Sequence, residues 1–227
     1  MLYKKVEFHA TDESEKQHII SFIGNNPKIW VAANIPTIIE SHLLKKSNGV
    51  LKLLTVALIG PMKNHLEVLN ALSTVDAEIE YDICGPIYWP EYWQKCLDVI
   101  KQLPPNIKVN YHGAIPPHEL VAFYHQCHVF ICPSQSENFG HAIFEAFSAG
   151  KPVITSHNTP WNQLEENRIG MNISPEKEEI EYAIKRFVDM DEPTYLDWSN
   201  RSAAFARNQP FINEAKRNYE KMFADTE

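Results

Sequence analysis

What the sequence lacks narrows it first. Its four cysteines, Cys84, Cys96, Cys127 and Cys132, form no C-x-x-C pair. That argues against a structural zinc site and against a disulfide framework. Reduced, buried thiols are the simpler expectation. No run of about 18 apolar residues occurs, so no transmembrane helix is expected. The opening residues, M-L-Y-K-K-V-E-F-H, hold no apolar stretch of the kind a signal peptide needs. Long basic runs are also missing, and 29 acidic residues outnumber 21 basic ones. This balance argues against a nucleic-acid face. A cytoplasmic protein is expected, with room left for peripheral contact at the inner face of a membrane. Neither an internal repeat nor a low-complexity segment is present.

What remains is a chain of 227 residues, 44% of them apolar, enough for a sizeable core. From residue 51 onward its pattern alternates. The apolar run at 53–59 and the segments at 78–84, 107–112, 129–132, 153–155 and near 169–173 read as strands, several ending at Gly or Pro. Between and after them, helices are expected at 64–72, 92–103, 119–126, 140–149, near 160–166 and at 176–188, on 3.6-residue periodicity and Pro stops. The class is α/β: a Rossmann-like parallel sheet with helices on both faces. Such sheets take ligands at the carboxyl ends of their strands.

The ends differ. Residues 1–34 read as a strand (5–8), a helix (12–22) and a strand (29–32), and 35–50 as a linker into a main domain at 51–192. Residues 193–227 read as a tail of two helices broken near Pro210. A strand-helix-strand cannot cover its own faces. The tail, a partner chain or a second copy is therefore expected over residues 1–34.

One segment carries chemistry. S-E-N-F-G-H-A-I-F-E-A-F-S-A-G-K-P-V, residues 136–153, holds Glu137 and Glu145 seven residues apart around a helix start. Two carboxylates can act as acid and base, bind a metal, or accept hydrogen bonds from sugar hydroxyls. The backbone N–H groups of Phe139, Gly140 and His141 lie between them, where a helix N-terminus attracts phosphate. Gly140 allows close approach of a ligand to the backbone. His125 and His128 have no third ligand nearby in sequence, so no metal site is expected. H-E-L-V-A-F-Y-H, residues 118–125, does not have the spacing of a zinc-protease helix.

E-N-F-G-H-A-I-F-E at 137–145, followed by A-G-K-P-V-I at 149–154, resembles the E-x7-E segment of the group 1 retaining glycosyltransferases. G-P-M-K-N (60–64), C-G-P-I-Y-W (84–89), Y-H-G-A-I-P-P-H-E-L (111–120) and T-P-W-N-Q-L-E-E-N-R-I-G-M-N-I (159–173) resemble further segments of that family. The resemblance implies one half of a two-domain GT-B fold, the donor-binding half, with a C-terminal tail that crosses back, so that Phe211, Tyr219 and Phe223 would pack near residues 1–34. It implies a nucleotide-sugar donor and transfer of a hexosyl unit, with retention, to a glycan or lipid-linked acceptor in polysaccharide biosynthesis. In that reading Glu137 is the catalytic-site residue holding donor sugar hydroxyls, Glu145 holds the ribose and Lys63 the diphosphate. The backbones of Phe139, Gly140 and His141 meet phosphate and sugar, and the base rests near Gly113 and Ile115. No metal or other cofactor is expected.

Two departures bear on activity. Leu58 stands where the family has an arginine before the lysine, and the chain is too short for two full domains. They favour a second reading, a nucleotide-sugar-binding or scaffold subunit without catalysis. Another GT-B-like enzyme, such as a nucleotide-sugar epimerase, is the third.

Overall fold

The structure is a computed structural model and describes residues 6–24 and 27–224. It forms two compact units, one of residues up to Thr37 together with those from Asn208, the other of Ile38–Arg207.

The larger unit is built on a six-stranded, wholly parallel sheet. Its strands are β3 (Val50–Val56), β4 (Glu78–Cys84), β5 (Ile107–Gly113), β6 (Val129–Cys132), β7 (Val153–Ser156) and β8 (Gly170–Ile173), in spatial order β5-β4-β3-β6-β7-β8. The central strands are apolar on both faces: Leu51, Leu53, Leu54, Val129, Phe130 and Ile131 are fully buried. Toward the β5 edge the pattern alternates. Ile79, Tyr81 and Ile83 of β4 are buried, while Glu80 and Asp82 hydrogen-bond on the opposite face to Asn110. That is the signature of strands covered on one face only.

Helices α2 (His65–Leu72), α3 (Pro90–Ile100), α4 (Pro117–Gln126), α5 (His141–Ser148), α6 (Lys177–Val188) and α7 (Glu192–Arg207) complete the unit. Both α3 and α4 begin at proline, whose missing N–H costs nothing in a first turn. They therefore start two residues before the expected positions. The first strand is also displaced, to Val50–Val56, and Ile59 instead makes a single parallel bridge to Ile87.

The helix expected near 160–166 does not form. Gln163 and Arg168 take left-handed conformations (φ 60° and 56°). The Asn172 side chain holds the segment as turns, accepting from Leu164 N–H at 3.1 Å and donating to Trp161 O at 2.7 Å. Residues of this type satisfy the backbone locally and compete with helix formation.

The unit boundaries also fall elsewhere than the sequence pattern suggests. Residues 38–49 lie within the larger unit as an irregular strap, bonded along its length. Ile39 N–H donates to Ser148 Oγ (2.9 Å) and His42 N–H to Ala149 O (3.2 Å). Lys151 Nζ donates to His42 O (2.7 Å) and Lys46 Nζ to Val188 O (3.1 Å). Helix α7 packs on α5 in the same unit.

In the smaller unit β1 (Phe8–Ala10) and β2 (Ile29–Val31) pair in parallel, joined through α1 (Glu13–Ile23). Asp12 caps α1 by accepting from Glu15 N–H at 2.7 Å. The first strand begins three residues later than expected, and Lys5 lies outside the described residues. Helix α8 (Phe211–Ala224) returns to this pair and packs on β2. The Tyr219 ring is 5.4 Å from that of His9, and its hydroxyl lies 3.3 Å from His9 Nε2. Phe223 stacks on Tyr219 while remaining exposed.

Candidate functional site

Strand order reverses between β3 and β6, which are neighbours though distant in sequence. A crevice opens at such a switch point, at the carboxyl ends of the strands. The loop after β3 and the loop after β6 meet there. Pro61–Lys63 form a short 3-10 turn after β3, and Asn64 follows in a left-handed conformation. The β6 loop is tied to this turn: Ser134 Oγ donates to Met62 O at 2.9 Å and Gln135 N–H to the same oxygen at 2.8 Å. Ser156 of β7 braces Ser134 in turn, its hydroxyl donating to the Ser134 carbonyl.

The consequence is an ion pair. Lys63 Nζ lies 2.5 Å from Glu137 Oε1, with side chains only 23% and 12% exposed. These two residues, with Leu58, Gly140 and His141, line a cleft of about 200 Å³. Gly140 begins α5 at φ +77°, and no side chain caps the helix. A Cβ at Gly140 would also come within 3.0 Å of Ile143 Cδ1 and 3.3 Å of Trp161 Nε1. The left-handed backbone favours glycine, and any side chain there would also crowd Ile143 and Trp161. Trp161 braces this turn from behind by donating to Phe139 O at 2.6 Å. The Phe139 ring lies against those of His141 and Trp161.

Burial pushes the His141 pKa down against the opposing pull of Glu137, which keeps the ring neutral near pH 7. Burial raises the Cys132 thiol to about 12, so it is no nucleophile. Full burial, then the charge of Lys63, pushes His65 down to about 4. The Gly60 backbone opposes this shift, but at a geometry short of a hydrogen bond, and neither ring nitrogen finds a partner.

The sequence-predicted residues separate into three places. Lys63, Glu137, Gly140 and His141 share the cleft. Glu145 lies farther along α5, where its carboxylate accepts from Tyr124 O–H at 3.0 Å. Ile115 lines an adjoining hollow of about 170 Å³ with Gly85, Pro86 and Leu120, which shares Val56 and Ala57 with the first. Gly113 flanks that hollow, its carbonyl accepting from Gly85 N–H at 2.7 Å. The roles of Tyr124, Trp161 and Ser134 carry no local sequence signal, since each acts through a long-range contact. Among the described residues, no group of three or more His, Cys, Asp or Glu side chains is placed to hold a metal ion. No helix among them is long and apolar enough to cross a membrane.

The chain resembles known proteins in both sequence and fold. The sequence family described as glycosyl transferases group 1 matches residues 37–205. No curated protein sequence matches the chain. Among solved structures, sucrose-phosphate synthase from Thermosynechococcus elongatus superposes with a TM-score of 0.70 at 16% identity, over 99% of this chain and 60% of that one. A glycosyltransferase from Rickettsia africae ESF-5 gives 0.71 at 18%, over 99% and 64%. Anabaena HepE, in complex with UDP and glucose, gives 0.69 at 15%, over 96% and 62%. The chain therefore spans about 60% of the length of the first of these structures. The six-stranded unit is one half of a GT-B fold.

Proposed function

The chain belongs to the group 1 glycosyl transferases, and from that premise we propose that it is the donor-binding half of a nucleotide-sugar-dependent glycosyltransferase. The observation that carries the reading is the Lys63–Glu137 pair beside the uncapped start of α5. A donor diphosphate would draw Lys63 from Glu137 and take the backbone N–H groups at Gly140 and His141. Glu137, so released, would accept from hydroxyls of the transferred sugar. Glu145, oriented by Tyr124, would accept from the ribose, and the base would occupy the hollow at Ile115. That HepE was captured with UDP and glucose is in keeping with a nucleotide-sugar ligand.

The reaction would break the anomeric C–O bond to the diphosphate and form one to an acceptor hydroxyl on the same face, with the hydroxyl proton leaving to the departing diphosphate. Lys63 and the helix start would stabilise the charge on that leaving group. Calorimetric titration with UDP, GDP and ADP sugars tests the reading. One nucleotide should bind preferentially, and added EDTA should leave its affinity unchanged. Absence of binding to all three would defeat the proposal.

A second reading is favoured by Leu58. It lines the same cleft and is 48% exposed, so an apolar side chain stands where a second cation would face the diphosphate. Donor binding without hydrolysis or transfer would identify a binding subunit.

A further inference from the structure

Beside the donor cleft lies an aromatic corner. Tyr88 and Trp89 follow β4 at the same carboxyl rim and are 66% and 44% exposed. Their rings meet edge to face, with centroids 4.6 Å apart. With Leu58, Met62 and Ile87 of the loops after β3 and β4, also exposed, they make an apolar patch of the kind that marks interaction sites.

This corner is held in place. Tyr88 and Trp89 N–H both donate to Ile59 O, at 3.2 and 3.3 Å, and Ile59 N–H donates to Pro86 O at 2.9 Å. The rim loops after β3 and β4 are thereby fastened together. The six-membered ring of Trp89 lies directly on Gly60: a Cβ added there would collide with Cε3 and Cζ3. Gly60 is the first residue of the turn that ends at Lys63, whose N–H donates back to Gly60 O at 3.1 Å. The indole and the Lys63 backbone thus sit at opposite ends of one 3-10 turn, about 6 Å along its axis. A rigid aromatic surface costs little conformational entropy on binding.

We propose that Tyr88 and Trp89 form a stacking platform for a pyranose ring of the acceptor glycan. The C–H face of a pyranose is an apolar surface rimmed by hydroxyls. It suits an aromatic ring whose negative face attracts C–H dipoles. The location favours the acceptor over the donor sugar, because in the strand order β4-β3-β6 the loop with Glu137 follows β6, on the other side of the Lys63 loop from the loop with the indole. The inference rests on the donor-binding reading for its word acceptor, but not for the sugar contact itself.

Saturation-transfer NMR on the 227-residue chain provides the test, with methyl β-D-glucopyranoside, methyl β-D-galactopyranoside and methyl α-D-mannopyranoside as probes. At least one should receive saturation at its ring C–H protons at about 10 mM or below. Trp89→Leu, which keeps apolar cover on Gly60 but removes the flat ring, should weaken that contact about fivefold or more. Tyr182→Ala, an exposed aromatic on α6, should not. Nucleotide affinity in Trp89→Leu should stay unchanged, which also reports that the variant is folded. The probe signal should persist when the donor nucleotide sugar is saturating. No pyranoside contact in the wild type, an undiminished contact in Trp89→Leu, or displacement by the donor would each overturn the platform. A Trp89-dependent contact without any nucleotide binding would instead sink the donor reading, and with it the assignment to an acceptor.

Discussion

At the residue scale, Lys63 and Glu137 occupy each other. Lys63→Ala would remove a charge-assisted phosphate contact, about 1.5–3 kcal/mol of nucleotide binding, and would leave Glu137 facing the diphosphate. Glu137→Gln should act differently. It should weaken the nucleotide sugar about tenfold but leave free nucleotide no weaker, since Lys63 is then released. Equal losses for both ligands would show that Glu137 does not face the sugar. Leu58→Arg should tighten nucleotide binding by a similar 1.5–3 kcal/mol if the new guanidinium reaches the phosphates. The membership of the shared cleft is legible in the sequence. Lys63, Glu137, Gly140 and His141 were all marked by the local motif, because each lies in a strand-loop-helix segment whose geometry is short-range. Glu145 was marked too, but its partner Tyr124 was not, since a buried tyrosine on α4 looks like core until the helices are packed.

Buried histidines set the acid limb of stability. His128 accepts from Lys52 N–H at Nδ1 (2.9 Å) and donates to Lys45 O from Nε2 (2.9 Å), an arrangement that needs the neutral ring. Burial holds His128 at about 4 against the opposing pull of the Lys45 carbonyl, with a further lowering from the Lys46 charge, and His65 also stands at about 4. Both folded pKa values lie below the unfolded value near 6.5. The unfolded chain therefore binds more protons between pH 6.5 and 4, and stability falls as pH falls through that window. Urea unfolding should show a loss of order 3 kcal/mol from pH 7 to pH 5, reduced in His128→Asn. A flat profile would show that these rings protonate freely in the fold.

At the element scale, the strap of residues 38–49 has no regular secondary structure, yet it is bonded at Ile39, His42, Lys45 and Lys46. Lys151 is its deepest anchor. It is fully buried, its pKa is pushed down by that burial, and its Nζ donates to His42 O. Lys151→Ala would orphan that carbonyl and should cost about 1–3 kcal/mol by denaturant unfolding. An unchanged midpoint would mean that water replaces the ammonium without penalty. The strap was invisible in sequence because its bonds, most of them between side chain and backbone, follow no periodicity. The strands were legible from continuous apolar runs at the centre of the sheet and from alternation toward the β5 edge, and the expected helix near 160–166 does not form because Asn172, outside it, decides the conformation.

At the scale of the whole molecule, the strand-order reversal between β3 and β6 gathers loops distant in sequence into one cleft, and a second unit built from both chain ends accompanies it. The expected return of the C-terminal helix is met at Tyr219 against His9. Since Leu58 leaves one cation fewer to stabilise a departing diphosphate, we expect the 227-residue chain to bind donor but to transfer sugar far more slowly than about 1 per second. Transfer at ordinary enzyme rates would contradict that expectation. We propose, more narrowly, that the cleft of Lys63 and Gly140 is a nucleotide-diphosphate site. Calorimetric titration of wild type and Lys63→Ala, with whichever of the UDP, GDP and ADP sugars binds best, decides it. A wild-type Kd below about 1 mM is expected, with a loss of at least about tenfold in Lys63→Ala. Equal affinities in the two proteins, or no binding by the wild type, would contradict it.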